Sequence, residues 1–247
     1  MERIWLKSYP PGVAAEVRYD QYRSVGDLFD KSAGQFAARP AYACMGRTMD
    51  FGELERLSRA FGAWLQARGL AKGARVAIML PNVLQYPVAL YGTLRAGCTV
   101  VNVNPLYTAR ELEHQLKDSG AEAIVILENF ARTLETALPR TPVKHVLVTS
   151  LGELLGAKGL LVDFVVRKVK KMVPAYRLPG AQRLKQALAE GAGREFRPVQ
   201  GGHDDIAFLQ YTGGTTGVSK GAMLLHRNIL ANIEQVAGWL TLALKGE

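Results

Sequence analysis

Arg75-Val-Ala-Ile-Met-Leu80, Thr99-Val-Val-Asn-Val103 and Ala123-Ile-Val-Ile-Leu127 are three short apolar runs, each separated from the next by a stretch of helical periodicity. Runs of five or six residues rich in Val and Ile are too short for a buried helix and read as buried strands. Pro81-Asn82 ends the first run, residues 84–96 carry apolar positions at helical spacing, and Gly97 stops that helix. Thr108 and Glu111 stand at capping-box spacing and open a further helix through Asp118. His145-Val-Leu-Val-Thr149 repeats the strand pattern once more. Strands that alternate with helices imply a parallel sheet with helices on its faces, an α/β fold.

Toward the N-terminus, Ser24 caps a helix with Leu28, Phe29, Ala33 and Phe36 on one face, ended by Arg39-Pro40. The segments 41–45 and 47–50 flank Gly46 as a small hairpin would, and 51–69 is helical, with Leu54, Leu57, Phe61, Trp64 and Leu65 in register and Gly69 as the C-terminal cap. The Pro-, Gly- and aromatic-rich stretch before Tyr22 reads as an irregular arm. Toward the C-terminus, residues 151–199 break the strand–helix rhythm. The expected organisation is a first α/β subdomain with its arm over 1–150, a basic insertion over 151–200, and the start of a second α/β subdomain over 201–247.

The composition, 48% hydrophobic and 21% charged, is that of a globular protein rather than a disordered one. Cys44 and Cys98 lack a CxxC pattern or neighbouring histidines, so they read as reduced, packed thiols and not as a disulfide or zinc site. The N-terminus has no apolar core of secretory length, and no run approaches the roughly 18–20 apolar residues of a spanning helix. A cytoplasmic protein is expected, peripheral at most at the inner face of the membrane. Seven of the nine net positive charges fall between Lys158 and Lys185, where eight basic residues face only Asp163. Within this stretch, residues 159–173 wind as an apolar helix with Arg167, Lys168, Lys170 and Lys171 gathered toward one end, a pattern that suits an anionic membrane surface. Nucleic acid is not expected, because the cluster lacks interleaved aromatics.

Ile206-Ala-Phe-Leu-Gln-Tyr211 reads as a strand and leads into Thr212-Gly-Gly-Thr-Thr-Gly-Val-Ser-Lys220-Gly221. Gly213, Gly214 and Gly217 let the backbone turn its N–H groups toward an anion, Thr212, Thr215, Thr216 and Ser219 add hydroxyls, and Lys220 adds a positive charge for phosphate oxygens. A Walker A loop would need Gly before the lysine and Ser or Thr after it; here Ser219 precedes Lys220 and Gly221 follows. Ala222-Met-Leu-Leu225 then reads as a second strand, and Asn228 as the cap of a helix through Ile229, Ile233, Val236 and Leu240. A loop between two strands is therefore expected. By composition alone, a ligand-free Gly/Thr turn remains open.

The full string Tyr211-Thr-Gly-Gly-Thr-Thr-Gly-Val-Ser-Lys-Gly-Ala-Met-Leu224 resembles the phosphate-binding signature of the adenylate-forming superfamily, which includes acyl-CoA synthetases, firefly luciferases and peptide-synthetase adenylation domains. Thr48-Met-Asp-Phe-Gly-Glu-Leu54, Gly73-Ala-Arg-Val-Ala-Ile-Met-Leu-Pro-Asn82 and Gln85-Tyr-Pro-Val-Ala-Leu-Tyr-Gly-Thr-Leu-Arg-Ala-Gly97 resemble its early segments. Val101-Asn-Val-Asn-Pro-Leu-Tyr-Thr-Ala-Arg-Glu-Leu112 is similar to bacterial long-chain fatty acyl-CoA synthetases in particular, as is the long segment before the loop.

The resemblance implies the N-terminal portion of a large domain built of layered, parallel-rich sheets. It also implies ATP, Mg2+ and coenzyme A. A fatty carboxylate attacks the α-phosphate of ATP, pyrophosphate leaves, and coenzyme A takes the acyl group. Thr212, Gly213, Gly214, Thr215, Thr216, Gly217, Ser219 and Lys220 would hold the β- and γ-phosphates. The adenine, ribose, magnesium and catalytic-lysine segments lie further on in the family, so no residue here is assigned to catalysis or metal, and the chain alone is expected to complete neither half-reaction. A homodimer is a further implication. His226 is expected to help start its helix, and His114, His145 and His203 have no partners at metal spacing. Asn102, Asn104 and Tyr107 are assigned no catalysis. A non-catalytic nucleotide- or membrane-binding module is the alternative.

Overall fold

Strand β3 (Arg75–Met79) lies at the centre of a seven-stranded sheet. The structure, a computed structural model, describes residues 2–212 and 219–244. On one side of β3 lies β4 (Thr99–Asn102), and on the other β5 (Ala123–Leu127), β6 (His145–Thr149) and the short β7 (Gln182–Arg183). Beyond β4 come β8 (Ile206–Thr212) and β9 (Lys220–Leu225). Every pairing from β7 to β8 is parallel, and only β8–β9 is antiparallel. Every residue of β5 is buried, because helices cover both faces of a parallel sheet. A separate hairpin, β1 (Pro40–Cys44) and β2 (Arg47–Asp50), turns through Met45 and Gly46, both at positive φ.

The chain steps from β3 to β4 through α3 (Gln85–Arg95), then back across β3 to β5 through α4 (Ala109–Ser119). Two right-handed crossovers in opposite directions place α3 and α4 on opposite faces. The core splits accordingly. On one face, α1 (Val25–Gln35), α2 (Phe51–Ala67), α3 and α7 (Leu184–Ala192) pack against Val76, Ile78, Val100 and Val125. On the other, Leu112 and Leu116 of α4 and Leu134 of α5 (Ala131–Ala137) pack against Ala77, Met79, Val101, Ile124 and Ile126. The alternation of side chains along each strand supplies both faces at once.

Local signals set the helix starts. Ser24 Oγ accepts from Asp27 N at 3.1 Å, and Asp50 Oδ1 from Glu53 N at 2.7 Å. Thr108 and Glu111 form the expected reciprocal capping box. The last helix, α8 (His226–Ala243), begins earlier than expected: Asn228 lies inside its first turn, and its Oδ1 reaches back to accept from Leu225 N at 2.9 Å. The residues of 151–200 also contribute to the body of the protein, because β7 pairs with β6 and α7 packs along α2. The described residues after 201 add β8 and β9 to the same sheet that β3 to β7 form.

Candidate functional site

β8 runs parallel to β4, with Asn102 opposite Gln210, so Tyr211 and Thr212 project beyond the C-terminal edge of the sheet. β9 returns antiparallel, and Thr212 pairs with Lys220 at the mouth of the hairpin. The C-terminal edge of an α/β sheet is where such folds collect ligands. Of the residues assigned to phosphate, Thr212, Ser219 and Lys220 are brought together at this mouth. Gly213, Gly214, Thr215, Thr216 and Gly217 lie outside the described residues. Ser219 Oγ donates to Thr212 O at 2.7 Å, which ties one strand end to the other. The Thr212 and Lys220 side chains are exposed. Among the described residues no carboxylate pairs with Lys220, so its charge faces solvent.

The mouth is held from below by side chains to which the sequence assigned no site role. Tyr211 is buried, and its hydroxyl donates to Asp118 Oδ2 at 2.5 Å. Burial, followed by the neighbouring Asp118 carboxylate, pushes the Tyr211 phenol well above its ordinary range, so it stays a donor. His114 Nε2 lies 3.0 Å from Ser219 O, so the ring donates from that nitrogen. Alongside, Gln115 Nε2 donates to Asn102 O, Asn102 Nδ2 to Gln210 Oε1 at 3.0 Å, and Tyr86 OH to Asn102 Oδ1 at 2.9 Å. This polar chain crosses from α4 through β4 to β8. It floors an open cavity of about 260 Å³ whose walls include Asn82, Asn104, Tyr107 and Tyr211. Larger hollows, of about 690 Å³ between the N-terminal arm and α8 and of about 550 Å³ at the opposite sheet edge, do not reach the hairpin mouth.

His226 lies far from this mouth, because the antiparallel course of β9 carries it to the other end of the sheet. It is buried, and its Nδ1 accepts from Val25 N at 3.2 Å, joining the starts of α8 and α1. Burial lowers its pKa, Lys72 and His203 lower it further, and Asp205 opposes them. The expectation that His226 helps start its own helix is not what its side chain does here: the ring serves the first turn of α1, and Asn228 serves the start of α8. Among the described residues, no group of three His, Cys, Asp or Glu could hold a metal ion.

The basic segment forms a second surface feature. Residues 157–169 wind as α6 (Ala157–Phe164), continued by a π-helical turn (Val165–Val169). Arg167 is tied down: its Nε and Nη2 each donate to the buried Glu128 carboxylate at 2.7 Å. Asp163 faces inward, accepting from Ser150 Oγ and Gly152 N. Leu160, Leu161, Phe164, Val169 and Met172 are left in solvent, 79% exposed at Leu160, beside exposed Lys168, Lys170 and Lys171. Among the described residues, no helix is long and apolar enough to cross a membrane.

A family model described as AMP-binding enzyme matches residues 29–245, from α1 through both strands of the hairpin. The chain belongs to the AMP-binding enzyme family. It is 56% identical over 238 residues to the long-chain-fatty-acid–CoA ligase of Escherichia coli O157:H7, covering 96% of this chain and 42% of that protein. It is 33% identical over 240 residues to the long-chain-fatty-acid–CoA ligase of Bacillus subtilis (strain 168), covering 97% of this chain and 43% of that protein. The crystal structure of a long-chain-fatty-acid–CoA ligase from Archaeoglobus fulgidus superposes with a TM-score of 0.69 at 27% identity, over 93% of this chain and 41% of that one. An anthranilate CoA ligase, 19% identical, shares the fold with a TM-score of 0.68 over 83% of this chain and 35% of that one. The chain thus spans less than half the length of the curated relatives it matches.

Proposed function

We propose that this chain is the N-terminal part of a long-chain fatty acid–CoA ligase, which activates a fatty carboxylate with ATP to an acyl-adenylate and then forms the thioester with coenzyme A. The observation that carries the reading is the 56% identity to such a ligase over 96% of the chain, a match that includes the hairpin mouth. In this reading Thr212, Gly213, Gly214, Thr215, Thr216, Gly217, Ser219 and Lys220 hold the β- and γ-phosphates while pyrophosphate leaves. Their contribution is electrostatic and positional: N–H and hydroxyl donors and one ammonium aimed at oxygens that gain charge as the bond to the α-phosphate breaks. Mg2+ would screen the same oxygens. No residue of this chain is assigned to hold it.

Pyrophosphate, titrated into the folded chain by calorimetry, tests the reading. Binding is expected, and the Lys220→Ala, Thr216→Ala double variant should lose at least tenfold in affinity, since each charge-assisted contact is worth roughly 1.5–3 kcal/mol. A folded chain that binds no pyrophosphate, or a double variant that binds as well as the parent, would sink it.

The exposed face of α6 and its π-helical turn supports peripheral contact with an anionic membrane, the surface from which a fatty-acid ligase would draw its substrate. Apolar side chains at the acyl boundary and lysines at the headgroups match the two layers of such a surface. Each lysine contributes on the order of 1 kcal/mol near anionic lipid. Vesicles containing phosphatidylglycerol should therefore retain the chain, and phosphatidylcholine vesicles should not. The Lys168→Ser, Lys170→Ser, Lys171→Ser triple variant should weaken retention more than tenfold; equal retention on both vesicle types would refute the contact.

A further inference from the structure

Two side chains of α4, one helical turn apart, each grip one foot of the candidate phosphate hairpin. Asp118 takes the hydroxyl of Tyr211, the residue before Thr212 on the outgoing strand, at 2.5 Å. His114 reaches the carbonyl of Ser219, the residue before Lys220 on the returning strand, at 3.0 Å. The spacing of four places both on the same face of the helix. The helix is anchored in turn: its capping box sets its start, Leu112 and Leu116 are fully buried beneath it, and Gln115 bonds to Asn102 O at the edge of β4. Tyr211 is further pinned by Gly221 across the hairpin, where an added Cβ would stand 2.9 Å from its ring. Neither grip belongs to the sheet ladder, and nothing in the core packing requires a histidine at 114.

We infer that His114 and Asp118 are positioning residues for the phosphate site. Held from a rigid helix, they set where the strand ends stand and hence the direction from which Ser219 and Lys220 meet an anion. The inference rests on the proposed phosphate-binding role of the hairpin. A single hydrogen bond that orients a binding group affects affinity through preorganisation, so its loss should show in binding more than in global stability.

The test compares the parent chain with His114→Ala, His114→Gln, Asp118→Ala and Asp118→Asn. Pyrophosphate affinity and amide hydrogen exchange of the segments 206–212 and 219–225 are the readouts. The alanine variants are expected to lose roughly 3- to 10-fold in affinity, the range of one hydrogen bond, and to exchange faster at the hairpin feet. Exchange within α4 should stay unchanged. Gln at 114 restores a donor and Asn at 118 restores an acceptor, so both should recover most of the loss. Unchanged exchange at the feet in both alanine variants overturns the inference, whether or not pyrophosphate binds. So does unchanged affinity in a chain that does bind it. A parent chain that binds no pyrophosphate defeats the phosphate reading instead, and the exchange data still decide the grip.

Discussion

At the residue scale, the groups that matter most are those whose partners come from distant segments. Gly191 of α7 sits directly on α2, where an added Cβ would run into the Ala60 carbonyl. Gly191→Ala should therefore cost about 1–3 kcal/mol by overpacking, seen as a lower urea midpoint. Glu128 is buried and accepts from Arg167 twice and from Arg183 at 3.1 Å. Glu128→Gln removes the charge both guanidiniums face, for about 2 kcal/mol, since both arginines keep partial access to water. It also frees Arg167, so trypsin should cleave around 167–171 faster in this variant; an unchanged digestion pattern would show that other contacts hold α6. The Cys98 thiol is pushed up to about 12 by burial. Alkylation of the native chain by iodoacetamide should spare Cys98 and reach the half-buried Cys44 first, with mass spectrometry of the peptides as the check.

At the element scale, α1 and α8 share a pH-sensitive joint. His226 Nδ1 can accept from Val25 N only while that nitrogen is unprotonated. Its pKa in the folded chain is lowered from 6.5 by burial first and then by Lys72 and His203, against Asp205. The neutral ring is thus favoured by folding: the stabilisation is complete above about pH 6.5 and is lost as pH falls through the lowered value. His145, lowered by burial, Arg68 and Lys144 against Glu122, adds in the same direction. Urea midpoints should fall between pH 7.5 and 5.5, and His226→Asn, which keeps an acceptor without titrating, should flatten part of that slope. A variant with the parent's full slope would remove His226 from the account. The capping box of α4 was legible from Thr108 and Glu111 because a cap is a contact over three residues. The start of α8 was misplaced by three residues because Asn228 serves from inside the first turn, accepting from the N–H of the cap residue Leu225 rather than from the N–H groups two or three residues ahead of itself.

At the scale of the whole molecule, β8 and β9 complete the sheet that begins with β3, and α7 closes one face against α2. With strands from Arg75 to Leu225 in one hydrogen-bonded sheet, unfolding should be a single transition, and far-ultraviolet dichroism and tryptophan fluorescence in urea should coincide. Two separated transitions would mean that the segment from 201 onward melts independently. The residues by themselves determined the strand–helix alternation, the buried runs, the caps of α1 and α4, the glycine- and threonine-rich loop between two strands, and the family. Each of these is written in contacts within a turn or a window of about 18 residues, or in a string of chemically specific side chains. Only the tertiary structure decided that β8 lies beside β4, that β9 carries His226 to the far edge, and that His114 meets Ser219 across 105 positions of chain. Strand pairing is made by backbone groups that all residues share, so periodicity states which face of a strand is buried but not which neighbour it takes. A histidine's distant partner is set by that choice of neighbour.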